Sequence, residues 1–252
     1  DRCLSRGLGD VYKRQDGGSG QVTNHGDAPQ SYEFTIVSGT GGNNDTGRTR
    51  VALVDNVDVT AVVDTTFDFT VTGFTEAGTD ANGTTTTGTS TATAIPFGNL
   101  VANQIETIAQ RLNVDTNAVQ GFVVTVEQDQ NLLSSTGADI DAFVDGSYQN
   151  TPSDWAGPNN DVSDENDWGH WGLTSTDDIN TSEFQGCVGA AQGCWVAAST
   201  TPREIFSHDG PAVSTADDIG STTVAYQIEI TALQEAADDY STTLTYIATP
   251  TF

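Results

Sequence analysis

The sequence predicts an all-β fold, an antiparallel sandwich of jelly-roll or immunoglobulin-like type with a long loop-rich insertion. Three observations carry that expectation. In the final stretch, Thr222 to Phe252, Val224, Tyr226, Ile228 and Ile230 alternate with smaller or polar residues, and Leu244, Tyr246, Ala248 and Phe252 alternate again after the connection QEAADD. That period of two marks strands buried on one face, and the pair reads as a hairpin whose Tyr240 ties the loop back to the strand as a corner tyrosine does. Gly121 to Gln128 (GFVVTVEQ) repeats the pattern with Phe122, Val124 and Val126 inward, and Thr66 to Phe74 (TFDFTVTGF) repeats it with Phe67, Phe69 and Val71.

Taken in order, the chain opens on Asp1 to Gln15, which holds Arg2, Arg6, Lys13 and Arg14. This tract resembles a translated sequencing-adapter sequence and is expected to be non-native. With no Met anywhere, the true start and any signal peptide are expected to be missing. Residues 16–252 carry 33 acids against four arginines, a net charge of −29. Phosphate neutralisation needs a basic face, so nucleic acid is excluded as a partner and an anionic membrane surface is disfavoured. The balance suits an exported protein in salty or calcium-bearing water, where counterions screen self-repulsion.

Residues 16–48 read as an N-terminal arm with one strand, Ser31 to Val37, whose Tyr32, Phe34 and Ile36 share a face. The flexible run Gly39 to Gly47 follows, so the strand either pairs within its own chain or is donated to a neighbouring subunit. Residues 49–252 read as a single sandwich domain. Its next strands are expected at Arg50 to Val63 and at 66–74. A Thr/Gly-rich loop around Asn82-Gly83 follows, ending in an edge strand. Between Leu100 and Leu112 helical and strand periods compete, and the second half leans to strand.

Residues 131–200 lack regular patterning, and a long aperiodic insertion is functional or stapled down. Cys187 and Cys194 flank a Gly/Ala-rich hexapeptide that suits a disulfide; zinc would need two more ligands of matching spacing. A disulfide points to an oxidising, extracellular setting. Beyond the insertion, 195–207 returns to strand-like sequence broken at Pro202, and no segment is apolar for long enough to span a bilayer as a helix.

Chemistry is sparse. His25, His170 and His208 form no zinc-helix pattern, no nucleophile elbow precedes a helix, and the glycine runs lack phosphate-binding context. No catalytic residue is assigned. No cofactor is expected, with calcium as the one candidate at two acidic clusters: Asp161, Asp164, Glu165 and Asp167, and Asp139, Asp141 and Asp145. Closely spaced loop carboxylates can converge on calcium, although neither cluster has EF-hand spacing and both also suit solvated loops. Trp155, Trp168 and Trp171 lie near the first cluster and can either stack on a sugar ring or cap the core.

IPFGNL at 95–100, LNVDTNAVQGFVVTVEQDQNL at 112–132, WGHWGLTSTD at 168–177 and the final YQIEITALQEAADDYSTTLTYIATPTF together resemble a group of uncharacterised secreted surface proteins of environmental and candidate-phylum bacteria. The resemblance covers roughly residues 51–252 and implies an exported β-sandwich with no catalytic residues to carry over. Trp171-Gly172-Leu173 gives a looser similarity to WxL-type wall-binding domains, whose second WxL copy is absent here. Two functions follow as expectations: a non-enzymatic surface protein that assembles with copies of itself into a pilus-like filament or coat, and a module that binds wall polysaccharide through the Trp/Asp-rich insertion.

Overall fold

The computed structural model describes residues 30–38, 45–53, 58–142, 151–177, 184, 193–237 and 239–252. The chain divides into two compact units, Asp1–Val63 and Asp64–Phe252. In the first, β1 (Gln30–Ser38) and β2 (Asp45–Leu53) form an antiparallel pair from Gln30↔Leu53 to Ser38↔Asp45. Arg48 and Arg50 both reach Glu33, at 3.3 and 3.2 Å. The strand expected over 50–63 instead stops at Leu53, and residues 58–66 are irregular with Val59 89%, Val62 91% and Val63 80% exposed. Alternation alone does not make a strand without a neighbour to accept its hydrogen bonds. Because 49–53 pair with β1, the boundary expected at residue 48 falls at residue 63.

The second unit is all-β. Its wide sheet joins β3 (Phe67–Gly73), β6 (Ile105–Thr116), β13 (Ser221–Ile230), β10 (Gly169–Ser175), β9 (Asp139–Ala142) and β8 (Leu132–Leu133) in that spatial order, with β11 (Val196–Ala197) beside β10. The narrow sheet is β12 (Arg203–His208), β7 (Phe122–Gln128) and β14 (Leu244–Pro250). Pairing is antiparallel except between β9 and β10. A small hairpin, β4 (Asp80–Ala81) and β5 (Thr84–Thr85), turns at Asn82-Gly83 with φ of 53° and 76°. Two successive positive φ values are what a two-residue primed turn requires, so the Asn-Gly signal is honoured. The edge strand expected after it is only an isolated bridge, Thr91↔Ala94.

The sheets meet over Leu112 and Val114 of β6, Val224, Tyr226 and Ile228 of β13, Trp171 and Leu173 of β10, Phe122, Val124 and Val126 of β7, and Ile205 and Phe206 of β12. The other face of the wide sheet carries a second, small-residue cluster: Ala81, Ala109, Ala142, Ala197 and Ala225 with Trp195, against which Trp155 packs. Both faces of β13 and β10 are therefore buried. Gly121 enters β7 at φ +70°, where an added Cβ would lie 1.6 Å from the His208 carbonyl oxygen, so only glycine lets the two segments approach.

Two expectations are corrected. β13 and β14 do not form a hairpin: β13 pairs with β6 and β10, and β14 pairs with β7 in the opposite sheet. Their thirteen-residue connection, 231–243, is far too long for a tight hairpin and arches from one sheet to the other. The region 131–200 is also not a loop insertion, since it supplies β8, β9, β10 and β11. A strand buried on both faces, such as GHWGLTS, has no polar alternation to betray it.

Candidate functional site

Parts of the two acidic clusters come together where residues 164–167 lie against β9. Asn131 Nδ2 donates to Asp139 Oδ2 at 3.0 Å and to Asp141 Oδ1 at 3.1 Å, joining the two carboxylates of β9. Nearby, a single 3-10 turn, Glu165–Asp167, is capped by Asp164, whose carboxylate accepts from Asn166 N–H at 3.2 Å. Burial pushes the Asp141 carboxyl up to about 7, and the charges of Asp139, Glu165 and Asp164 add to the rise. The structure thus brings together parts of two clusters that lie twenty-odd residues apart.

The remaining acids have other work. Asp161 accepts from Ser163 N–H at 2.9 Å and Ser163 Oγ at 2.7 Å, and those bonds hold its carboxyl below the usual range. Asp167 Oδ1 lies 3.3 Å from His170 Nε2, while His170 Nδ1 is 3.1 Å from the Ala156 carbonyl. Asp145 lies outside the described residues. Among the described residues no three His, Cys, Asp or Glu side chains are grouped so as to hold a metal ion.

The tryptophans separate. Trp155 Nε1 donates to Glu229 Oε2 at 2.9 Å, and its ring meets Trp195 edge-on at 5.6 Å. Trp168 Nε1 donates to the Asp161 carbonyl at 2.7 Å. Trp171 is 2% exposed and stacks on Tyr226 in the core between the sheets, with ring centroids 6.2 Å apart. Alternation along β10 sends Trp171 inward and His170 outward, so the three rings expected to share a sugar platform lie on opposite faces of one sheet. Cys194 is disulfide-bonded, and Cys187 lies outside the described residues. Tyr32, Phe34 and Ile36 of β1 are the register partners of Val51, Thr49 and Gly47 on β2.

No family model, curated protein or solved structure matches this chain.

Sequence reasoning missed the most open feature, the two edges of the narrow sheet. Gln128 N–H points to the β12 side, bonding Ser199 O at 2.9 Å in the segment before that strand, whereas Asp129 N–H reaches Thr243 O at 3.1 Å and Thr251 N–H reaches Gly121 O at 2.8 Å. Strand alternation then turns the backbone groups of Thr245, Ile247 and Thr249 toward β7 and those of Leu244, Tyr246, Ala248 and Pro250 away from it. Among the described residues nothing pairs with this outer edge. Pro250, which has no N–H, sits where an edge tolerates it.

Beside the Leu244 and Tyr246 end of β14 lies a cavity of about 940 Å³, bounded by the irregular segment 92–100 and the connection 234–243, with Ile140, Trp171, Ile228 and Ile230 also in its wall. Tyr246 Oη bonds Tyr226 Oη at 2.8 Å and Gln110 Oε1 at 2.9 Å, and burial pushes both phenols up. Among the described residues the buried Trp171 indole N–H has no hydrogen-bond partner. The motif IPFGNL held the available signal: Ile95, Phe97 and Leu100 lean half-buried on the core, while Pro96 limits regular pairing.

Proposed function

We propose that this chain is a non-enzymatic extracellular structural protein whose copies join through β-strand edges into a cell-surface filament or coat. The observation that carries this reading is the uncovered β14 edge, whose inward residues Leu244, Tyr246 and Ala248 are only half-buried although they belong to the core. A free edge with apolar residues beside it is a template for another strand. The bonded state of Cys194 supports an oxidising compartment and hence export. No helix among the described residues is long and apolar enough to cross a membrane.

Electron microscopy and sedimentation of the full chain at rising concentration test this reading. Regular fibres or sheets are expected, and particles that stay monomeric at every concentration would overturn it.

A second reading, binding of wall polysaccharide, is favoured by the half-buried Trp155 and Trp168, whose indole N–H groups bond the Glu229 carboxylate and the Asp161 carbonyl. A glycan array with Trp155→Ala and Trp168→Ala controls tests the binding reading; equal retention by wild type and variants would remove it.

A further inference from the structure

The narrow sheet has three strands facing a wide sheet of seven. At about 4.8 Å per strand, at least one more strand fits beyond β14 before the wide sheet is covered. Segment 92–100 borders that space without a backbone hydrogen bond to β14, and the cavity lies between the two. A strand added along this edge would pair with Leu244, Tyr246 and Ala248 and turn alternate side chains into the cavity, toward Trp171 and Ile228.

We infer that the β14 edge and its cavity receive the β1–β2 hairpin of a second copy of this chain, which deepens the self-assembly reading and rests on it. Length matches: β1 and β2 have nine residues each and β14 has seven. Charge matches as well. The unit Asp64–Phe252 carries 27 acids against two arginines, a net of −25, whereas residues 16–63, without the tract 1–15, carry six acids against two arginines, a net of −4. Two sandwich units repel each other strongly; a sandwich unit and a hairpin unit do not.

The hairpin also has something to gain. A two-stranded ribbon by itself is marginal in water. Here Val51 is 47% exposed, and β2 carries both Arg48 and Arg50, the two cations of the described first unit, on exposed side chains. Docked beside β14, β2 would bring them toward the outward Glu127, the register partner of Thr245. The opposite edge of the narrow sheet offers no such place. There Ser175 Oγ donates to the Ile205 carbonyl at 2.6 Å and the Asp177 carboxylate accepts from Ser207 N–H at 3.0 Å, so β12 is already capped.

The test uses the full chain in sedimentation and amide exchange at low and high concentration. On assembly, the amides of Leu244, Tyr246 and Ala248 should exchange at least about tenfold more slowly, while those already bonded to β7 change little. Ala248→Pro removes one edge N–H without touching the β7 ladder and should raise the concentration for half-assembly by about tenfold, equivalent to about 1.4 kcal/mol. Arg48→Glu with Arg50→Glu should shift it in the same direction. Assembly with no protection at the β14 edge would overturn this site and leave self-assembly standing; a chain that never assembles would overturn both. Assembly blocked by Ala248→Pro but indifferent to the arginine reversals would overturn the hairpin as occupant. A monomer that binds the apolar dye 1-anilinonaphthalene-8-sulfonate at all concentrations would assign the cavity to a small molecule instead.

Discussion

The two edges of the narrow sheet are built from similar strands and finished differently. On β12, side chains from the end of β10 and the residues after it satisfy the outer backbone groups: Ser175 for Ile205 C=O and Asp177 for Ser207 N–H. The strand bulges between Glu204 and Phe206, and Ile205 and Phe206 are fully buried. On β14 the ladder is regular, the inward residues are half-buried and, among the described residues, no side chain caps the edge. The same sheet therefore protects one border with local polar groups and leaves the other able to pair. An edge left open beside a half-covered core presents unpaired backbone groups on which another strand can pair.

Core truncation should expose this difference most sharply. Ile205→Ala empties a fully buried site on the capped side and is expected to cost about 2–5 kcal/mol in chemical denaturation. Leu244→Ala on the open side should cost clearly less, because its side chain is only partly covered in the isolated chain. Equal losses would mean that β14 is as fully packed as β12. Next in size is Asp177→Ala, which strands the Ser207 N–H inside the fold and should cost about 2–3 kcal/mol, with faster exchange along β12 and none along β14.

Carboxylates sharpen the contrast through pH. Asp129 accepts from Thr243 N–H at 2.8 Å and Thr242 Oγ1 at 2.9 Å, fixing the entry to β14, and those bonds hold its carboxyl below the ordinary value. Its contribution is present above that range and fades as pH falls through the lowered value. Asp141 behaves oppositely. Raised from 3.8 to about 7, it favours the folded state while protonated and costs stability as pH climbs through that interval. Asp141→Asn keeps an acceptor for Asn131 and removes that cost. Its melting temperature should match wild type near pH 3.8, pull ahead through the interval and hold a constant lead above about pH 7. A lead independent of pH would show that electrostatics at Asp141 is not the cause.

Much of the fold was readable because period-two alternation survives wherever one face meets water or the second cluster. β3 and β7 came out nearly where TFDFTVTGF and GFVVTVEQ placed them, and Asn82-Gly83 turned as its chemistry demands. β10 was hidden for the opposite reason, with its tryptophan inward and His170 and Thr174 buried outward among polar partners. Pairing was hidden too. Alternation says that Val224 and Leu244 belong to strands but not that they lie in facing sheets. The acidic site was half legible: the residue types were visible, while the convergence of Asp141 on Asp164 and Glu165 depends on how 151–168 folds over β9.

The smallest effect concerns the connection that leads into the open edge. Tyr240 Oη donates to the Glu235 carbonyl five residues upstream at 2.7 Å and accepts from Gln234 Nε2 at 3.1 Å, as the corner-tyrosine reading expected. Gln234 Nε2 in turn bonds the Asp139 carbonyl at 2.8 Å, and Ser241 exchanges backbone bonds with Leu133 at 3.0 and 3.1 Å. The hydroxyl thus holds the cavity wall between β9 and the start of β14. Tyr240→Phe keeps the ring and deletes both hydrogen bonds of the hydroxyl, so a loss of about 1–2 kcal/mol is expected. Amides from 235 to 241 should exchange faster while those on β12 are unchanged. Because the wall borders the proposed docking groove, assembly should weaken by no more than this local loosening predicts. A larger defect in assembly than in stability would place Tyr240 itself in the subunit contact.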